Sequence, residues 1–404
     1  QAFLCVKCGS RLRGVFLEDA PQEIATNALR THKEEAGRCE SPDRVAAPQG
    51  TARKVVRRDR SPVCNSDSHA SQKLDLAVDQ AEHLEVQSLG PSFGESITQH
   101  GAAPYDPEVQ QEQIESFEDS IDQVEQLVSA LEQGQSIDPE AHEAIARDTL
   151  VQAASDLDFF VRLGVNPMGH GYPGRHSLHV SMLAAGVGAT MGWDHNTLVE
   201  LGVGCLIHDL GMVLVPDKVY QREQVLSDAE FNCIASHPIS TFELLEEHVA
   251  TVPLTSRMVA YQIHERGNGS GYPRKRAAPL IHQAAKVAAV ADVYIALVSP
   301  RPYRPGLMPY YAVEHLLHGV RNGLFEAGTV RALLKTISLF PIGSYVQLSD
   351  NRVARVLRTS PTDYTRPIVE AWRAEELDAP PEIIDLSKQP ELTVAKAIAS
   401  LAVA

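Results

Sequence analysis

Apolar residues recur every three or four positions along most of the chain after Pro107. The first such run lies among Glu and Gln and ends at Gly134, so it predicts an amphipathic helix. Its apolar positions are Ile114, Phe117, Ile121, Val124, Leu127, Val128 and Leu131. Because the spacing is near a heptad, this segment (106–137) either forms a homodimer through helix 107–133 or packs onto its own domain.

A second helix is predicted to begin at Asp138-Pro139, an N-cap acid followed by proline at the first helical position. It extends to about Leu163, and Gly164 and Asn166-Pro167 end it. Further helical patterns follow at 175–191, 196–209, 227–235, 238–248, 254–264, 281–298, 309–321 and 327–337. The region 138–339 is therefore predicted to be a helical bundle, which makes the chain mainly α.

After Phe340 the helical spacing of apolar residues gives way to alternating apolar and polar residues. Residues 344–348 and 353–357, joined by a Ser-Asp-Asn turn, predict a β-hairpin, and 368–372 predict a third strand. We expect residues 340–375 to form a small β appendage. The Pro- and Glu-rich residues 376–404 are expected to be a loose tail.

The first 105 residues differ from the rest, because their apolar periodicity is weak and Ser, Pro, Gln and Gly are frequent. We expect residues 1–105 to be largely disordered. An Arg-rich stretch there is either a contact tail or, as we prefer, a solvated linker. Cys5 and Cys8 form a single CxxC without a second tight pair, so we do not predict a zinc site.

The net charge of −16 over 404 residues argues against binding to a nucleic-acid polymer. It does not exclude a small anionic substrate, because a bound cation sets its own local field. No apolar run is judged long enough to cross a membrane, and no signal-peptide pattern opens the sequence. We therefore expect a cytoplasmic protein without membrane contact.

Candidate chemistry is concentrated around His208-Asp209, at the end of an apolar helix. An imidazole beside a carboxylate suits Fe, Mn or another transition metal. Other groups of this kind lie at the ends or inside neighbouring predicted helices: His176, His237, His264 and Asp292. Asp292 is surrounded by Ala and Val, and a buried lone acid is costly unless it is paired or binds a metal.

Over about residues 140–340 the chain resembles the HD-GYP family, a branch of the HD superfamily, in the order of these motifs. The matching motifs are His176, His208-Asp209, His237, His264-Glu265, Gly271-Tyr272-Pro273 and Asp292, followed by the Pro- and Arg-rich segment 299–305. The resemblance implies an HD-type helical bundle that hydrolyses cyclic di-GMP. It also implies two divalent transition metal ions, Fe or Mn, as cofactors.

Carried over position by position, the resemblance assigns the first metal to His176, His208, Asp209 and Asp292. Asp209 then bridges to a second metal held by His237 and His264, which makes His208 and Asp209 the catalytic candidates. Guanidinium groups match phosphate oxygens, so Arg301 and Arg304 are predicted to bind the substrate phosphates. Tyr272 is predicted to line the substrate pocket.

Four positions depart from the family pattern. Met212 replaces a lysine, Ile263 replaces the first of two paired histidines, and Asn268 replaces an aspartate. Tyr172 occupies the position of a glutamate that adds a third metal in some members. We therefore expect no third metal and weaker binding at the second site than at the first.

Three functions are compatible with this pattern. The first is a phosphodiesterase that cleaves cyclic di-GMP to linear pGpG or GMP, and retention of all six matched ligands favours it. The second is a catalytically degenerate module that regulates by binding a nucleotide or a protein, which Met212 and Ile263 favour. The third is a phosphohydrolase with another nucleotide substrate, because the missing lysine changes phosphate recognition.

Overall fold

The computed structural model describes residues 69–80, 84–86, 88, 90–93, 107–136, 138–155, 172–216, 219, 226–245, 250–300, 306–360 and 363–398. Its α-helices there are α1 (His69–Gln80), α2 (Pro107–Glu132), α3 (Pro139–Ser155), α4 (Gly174–Thr190), α5 (His195–Ile207), α6 (Asp228–Ala235), α7 (His237–Leu244), α8 (Leu254–Gln262), α9 (Gln283–Val298), α10 (Pro309–Arg321) and α11 (Ala327–Ile337). From α4 onward these bounds agree closely with the predicted helices, and α3 begins where predicted, but its predicted end near Leu163 lies outside the described residues. The mainly α fold is confirmed.

Helix α5 lies at the centre of the bundle, between α3, α4 and α8. Asp194 caps the N-terminus of this helix, because its side chain accepts a hydrogen bond from the Thr197 backbone N–H. The stretch His195–Leu214 is long and apolar enough to cross a membrane, which we did not expect from the sequence. Most of it is buried inside the fold, as in the core helix of many globular proteins.

Helix α2 packs onto its own domain. Phe117, Ile121 and Val124 are part of the main hydrophobic core. Val124 packs closely on α4, because a Cβ atom added at Gly174 would lie only 3.2 Å from its side chain. Since these buried residues are the apolar stripe that suggested a dimer, the packing favours the second of the two alternatives for this helix.

Helix α1 lies inside the region expected to be disordered, and that expectation is wrong for residues 69–80. Leu74 and Val78 are buried in a second apolar cluster with Val128, Leu131 and Tyr261. The expectation failed because the apolar pattern of α1 is too short to be distinctive by itself. Residues 1–68, with Cys5, Cys8, Cys39, Cys64 and the Arg-rich stretch, lie outside the described residues.

An antiparallel sheet follows the bundle. Its strands are β1 (Tyr345–Leu348), β2 (Val353–Arg358), β3 (Ile368–Trp372), β4 (Glu382–Asp385) and β5 (Val394–Ile398), in the order β4-β3-β2-β1-β5. The last two strands were not predicted, and the loose tail expected at 376–404 is wrong for the residues they cover. Ile384 and Leu392 fill the sheet's apolar cluster, so long-range packing orders a segment with weak local signals.

Candidate metal centre

His208 and Asp209 lie where α5 ends and a short 3-10 helix, Leu210–Leu214, begins. The Nδ1 atom of His208 is 2.6 Å from the Cys205 carbonyl oxygen. His237, at the first turn of α7, has its Nδ1 atom 2.7 Å from the Ile234 carbonyl oxygen. Each ring therefore donates its proton to the backbone from Nδ1 and leaves Nε2 as an acceptor, the tautomer of many metal-binding histidines.

A close backbone approach at Gly211 brings α7 beside Asp209. A Cβ atom at Gly211 would lie 2.1 Å from the His237 carbonyl oxygen and 2.7 Å from the Thr241 backbone nitrogen. Glycine alone fits here, because any other side chain would overlap backbone atoms. The contact is completed by the Gly211 N–H, which donates to the Thr241 hydroxyl at 3.0 Å.

Four imidazoles surround the carboxylate of Asp209. The Nε2 atoms of His208, His237 and His264 lie 3.2, 3.0 and 3.4 Å from its Oδ1 atom. The Nε2 atom of His176 lies 3.9 Å from its Oδ2 atom. All five residues are buried, so the polar cluster is enclosed by the helical core.

Asp292 closes the cluster from α9. Its Oδ1 atom lies 3.2 Å from Nε2 of His176, and its Oδ2 atom lies 3.6 Å from Nδ1 of His264. Burial favours the neutral acid, but the hydrogen bond to His176 and the nearby His264 ring outweigh it and lower the pKa of Asp292. The acid that the sequence placed among alanines and valines is thus paired with two of the predicted ligands.

The charges of the cluster suit a cation. Burial alone would raise the pKa of Asp209, but the surrounding histidines, with His208 the largest contributor, outweigh burial and lower that pKa. Burial lowers the pKa of His237 to about 4, so its ring is neutral at pH 7. Buried carboxylates beside a neutral imidazole acceptor form a donor set typical of divalent transition metals.

Two overlapping triads could each hold a metal ion. His176, His208 and Asp209 each offer a ligand atom within 4.8 Å of one another, and so do Asp209, His237 and His264. Asp209 is shared by both, as expected of a bridging ligand. The buried Asp209 oxygens lack a conventional hydrogen bond in the described residues, which also fits a cation between these groups. The assignment of individual ligands to individual metals stays a prediction.

Tyr272 borders the centre through a sharp turn at Gly271. Its ring centroid is 4.8 Å from that of His264 and 5.9 Å from that of His237. Within the described part of the chain its buried hydroxyl has no hydrogen-bond partner. The predicted phosphate ligands Arg301 and Arg304 lie in 301–305, outside the described residues, so their roles stay predictions.

The departures from the family pattern are packed as ordinary structural residues. Met212 is buried in an apolar cluster with Val215, Leu226 and Ile234, so it does not project into a polar pocket. Ile263 lies in the main hydrophobic core. The Asn268 side chain accepts a hydrogen bond from the Ser270 backbone N–H and stabilises its own loop.

Sequence reasoning gave no role to Glu265 and did not single out the backbone carbonyls that orient two histidines. The buried Glu265 carboxylate accepts hydrogen bonds from the backbone N–H groups of Arg274 and Arg276, at 2.7 and 2.9 Å. The position of Glu265 directly after His264 was the sequence signal that could have pointed to a role for it. The carbonyls of Cys205 and Ile234 carry no sequence signal, because any residue type offers one.

Buried histidines and aspartates converge from α4, α5, α7, α8 and α9 to form a centre that could hold metal ions inside a helical bundle. Residues 153–326 match the family model described as HD domain. The match covers 174 of the 404 residues and bears out the resemblance of this region to the HD superfamily.

Three relatives illustrate the range of similarity. The cyclic di-GMP phosphodiesterase PA4108 of Pseudomonas aeruginosa is 28% identical over 219 residues, which cover 54% of this chain and 52% of the relative. The cyclic di-GMP phosphodiesterase response regulator RpfG of Xanthomonas campestris pv. campestris is 31% identical over 156 residues (39% and 41%). The 3'3'-cGAMP-specific phosphodiesterase 1 of Vibrio cholerae is 25% identical over 190 residues (47% and 41%). The chain thus spans about half the length of the curated relatives it matches.

Proposed function

We propose that this chain is a metal-dependent phosphodiesterase that hydrolyses cyclic di-GMP to linear pGpG or GMP in second-messenger signalling. The observation that carries the proposal is the Asp209 carboxylate, shared by two buried triads that offer histidine nitrogens on both sides. The names of PA4108 and RpfG support cyclic di-GMP as the substrate. We also propose Fe or Mn as the metal and the cytoplasm as the location.

We divide the proposed ligands between two metals as the family resemblance implies. His176, His208 and Asp292 would hold the first metal, and Asp209 would be a ligand of both metals. Bound cations at such a pair of sites neutralise phosphodiester oxygens and activate a water molecule for attack on phosphorus. The protein residues hold this arrangement rigid and exclude bulk water, because the ligands come from separate packed helices.

The remaining proposed residues hold the second metal and the substrate. His237 and His264 would hold the second metal, and the Tyr272 ring contacts both of their rings. A nucleotide bound at the metals would therefore lie against Tyr272. Arg301 and Arg304 would hold phosphate oxygens as planar, forked donors.

A non-catalytic nucleotide- or protein-binding module is the second candidate. The observation that favours it is the apolar packing of Met212, which leaves no cation at the position of the family's lysine. A third candidate is a different cyclic dinucleotide, because one of the relatives is named as specific for 3'3'-cGAMP.

The deciding experiment combines metal analysis with turnover. The chain, purified without chelator, is analysed for Fe, Mn and Zn and then incubated with cyclic di-GMP or 3'3'-cGAMP, with products separated by chromatography. We expect bound transition metal and faster hydrolysis of cyclic di-GMP. Absence of metal, even after reconstitution, would refute the proposed centre, whereas metal and nucleotide binding without turnover would favour the module.

The arginine assignments need a matched control. Arg301→Ala and Arg304→Ala should lower hydrolysis and leave the metal content unchanged. Arg321→Ala, which removes an exposed arginine from the end of α10, should leave both unchanged. Full activity in both loop variants would show that the loop arginines do not bind the substrate.

A further inference from the structure

Helix α1 contacts the Gly271–Arg276 loop through a partly buried network of charged groups. The Asp75 carboxylate accepts hydrogen bonds from Arg274 Nε at 2.8 Å and from Arg276 Nη2 at 2.9 Å. The Tyr261 hydroxyl donates to the same carboxylate at 3.0 Å. One acidic side chain on α1 therefore joins two arginines of the loop.

The same two arginines are held from the opposite side by the residue after a proposed metal ligand. Their backbone N–H groups donate to the carboxylate of Glu265, as described above. The Tyr272 N–H donates to the His264 carbonyl oxygen at 3.2 Å. The loop is thus connected to the metal centre by its backbone and to α1 by its side chains.

This contact has the properties of a strong ion pair. The side chains of Arg276 and Asp75 are only 9% and 19% exposed, so solvent screens the pair less than it screens an ordinary surface pair. Leu74 and Val78, one residue before and three after Asp75, anchor α1 in the apolar cluster beneath. A rigid helix therefore presents a fixed carboxylate to the loop.

We propose that Asp75 is a positioning residue for substrate binding, which acts by fixing the Gly271–Arg276 loop so that Tyr272 stays against the His264 ring. Helix α1 lies outside residues 153–326, which match the HD domain. The site therefore depends on a segment far upstream of its own domain. Any change in how α1 packs on the loop would shift the position of Tyr272. The inference rests on the proposed function for its effect on substrate, and on geometry alone for its effect on the loop.

The chain offers a matched control on the same helix. Asp79 accepts a hydrogen bond from Arg276 Nη1 at 2.7 Å, but its side chain is 59% exposed. Asp75→Asn removes the charge that joins both arginines, and Asp79→Asn removes a charge that contacts Arg276 from the exposed side. Asp75→Glu, which restores the charge, serves as the conservative variant.

The first measurement needs no substrate. Amide hydrogen exchange over 266–280 is compared in the metal-containing wild type and variants. Exchange should be faster in Asp75→Asn, close to wild type in Asp79→Asn and partly restored in Asp75→Glu. If Asp75→Asn also unfolds α1, as exchange over 69–80 would show, Arg274→Gln breaks the contact from the loop side while Arg276 still holds α1.

The second measurement is hydrolysis of cyclic di-GMP. Asp75→Asn should raise KM about 3- to 30-fold, with kcat and metal content nearly unchanged, because the chemistry at the metals is intact. Unchanged loop exchange and KM, or equal effects of Asp79→Asn, would overturn the inference. A wild type that hydrolyses no cyclic dinucleotide would refute the proposed function instead, and the exchange comparison would still decide the role of Asp75.

Discussion

The Nε2 atoms of His237 and His264 lie 2.9 Å apart, although the two residues come from the start of α7 and the end of α8. Because Nδ1 of His237 donates to a carbonyl, its Nε2 atom faces the other ring as an acceptor. Two nitrogens at this distance share either a proton or a cation. The neighbouring Asp209 oxygen, 3.0 Å from the first and 3.4 Å from the second, favours a cation.

Removal of the shared carboxylate should empty both triads. We expect Asp209→Ala to lose all bound transition metal and all hydrolysis, because it is the one residue common to both groups. Elemental analysis of the purified variant measures this directly. Asp350→Ala, which removes an exposed acid from the β1–β2 turn, should keep the wild-type metal content. Wild-type metal content in Asp209→Ala would mean that the ligands lie elsewhere.

Introduction of the family's lysine at Met212 should not restore phosphate binding. The Met212 side chain is packed among apolar residues, and a buried ammonium without a partner is costly. We expect Met212→Lys to lower the free energy of unfolding by at least about 2 kcal/mol, as measured by chemical denaturation. Leu214→Lys, two residues later at a position that is 43% exposed, should change it little. A stable Met212→Lys variant with tighter cyclic di-GMP binding would contradict the packing.

The turn before Tyr272 has no room for a side chain. A Cβ atom at Gly271 would lie 2.5 Å from the backbone of Glu265 and Arg266, so Gly271→Ala must displace the loop. If the loop binds substrate, hydrolysis should fall about 100-fold while the metal is retained. Gly328→Ala provides the control, because its nearest contact would be at 3.8 Å. Equal activity of both variants would exclude a role for the loop.

The lowered pKa of Asp194 predicts that the protein loses stability at acid pH. Although burial opposes the charge, hydrogen bonds from Thr197 and Ser88 lower the pKa of Asp194 to about 2. A folded-state pKa below the unfolded value of about 3.9 stabilises the fold above that pH, and the contribution is lost as the pH falls toward 2. We expect Asp194→Ala to cost about 1–2 kcal/mol at pH 6, with the difference from wild type narrowing below pH 4. Urea unfolding at several pH values tests this, and a difference independent of pH would refute it.

The helices that carry the site follow from local signals in the sequence. The start of α3 at Pro139 has the expected proline at the first helical position, and most predicted helices agree with the structure to within a few residues. Such boundaries depend on backbone groups and caps only a few residues apart, so the sequence alone determined them. The order of His and Asp residues along the helices likewise identified the cluster before any geometry was known.

Tertiary packing decided which of these groups meet and what supports them. Asp209 and His237 come together because Gly211 admits the backbone of α7, and Asp75 meets Arg274 across 199 residues of chain. The sheet's last two strands likewise depend on partners far back in sequence, since β5 pairs with β1. Local sequence patterns do not predict such contacts. Each contact depends on shape and charge complementarity between elements that only folding brings together.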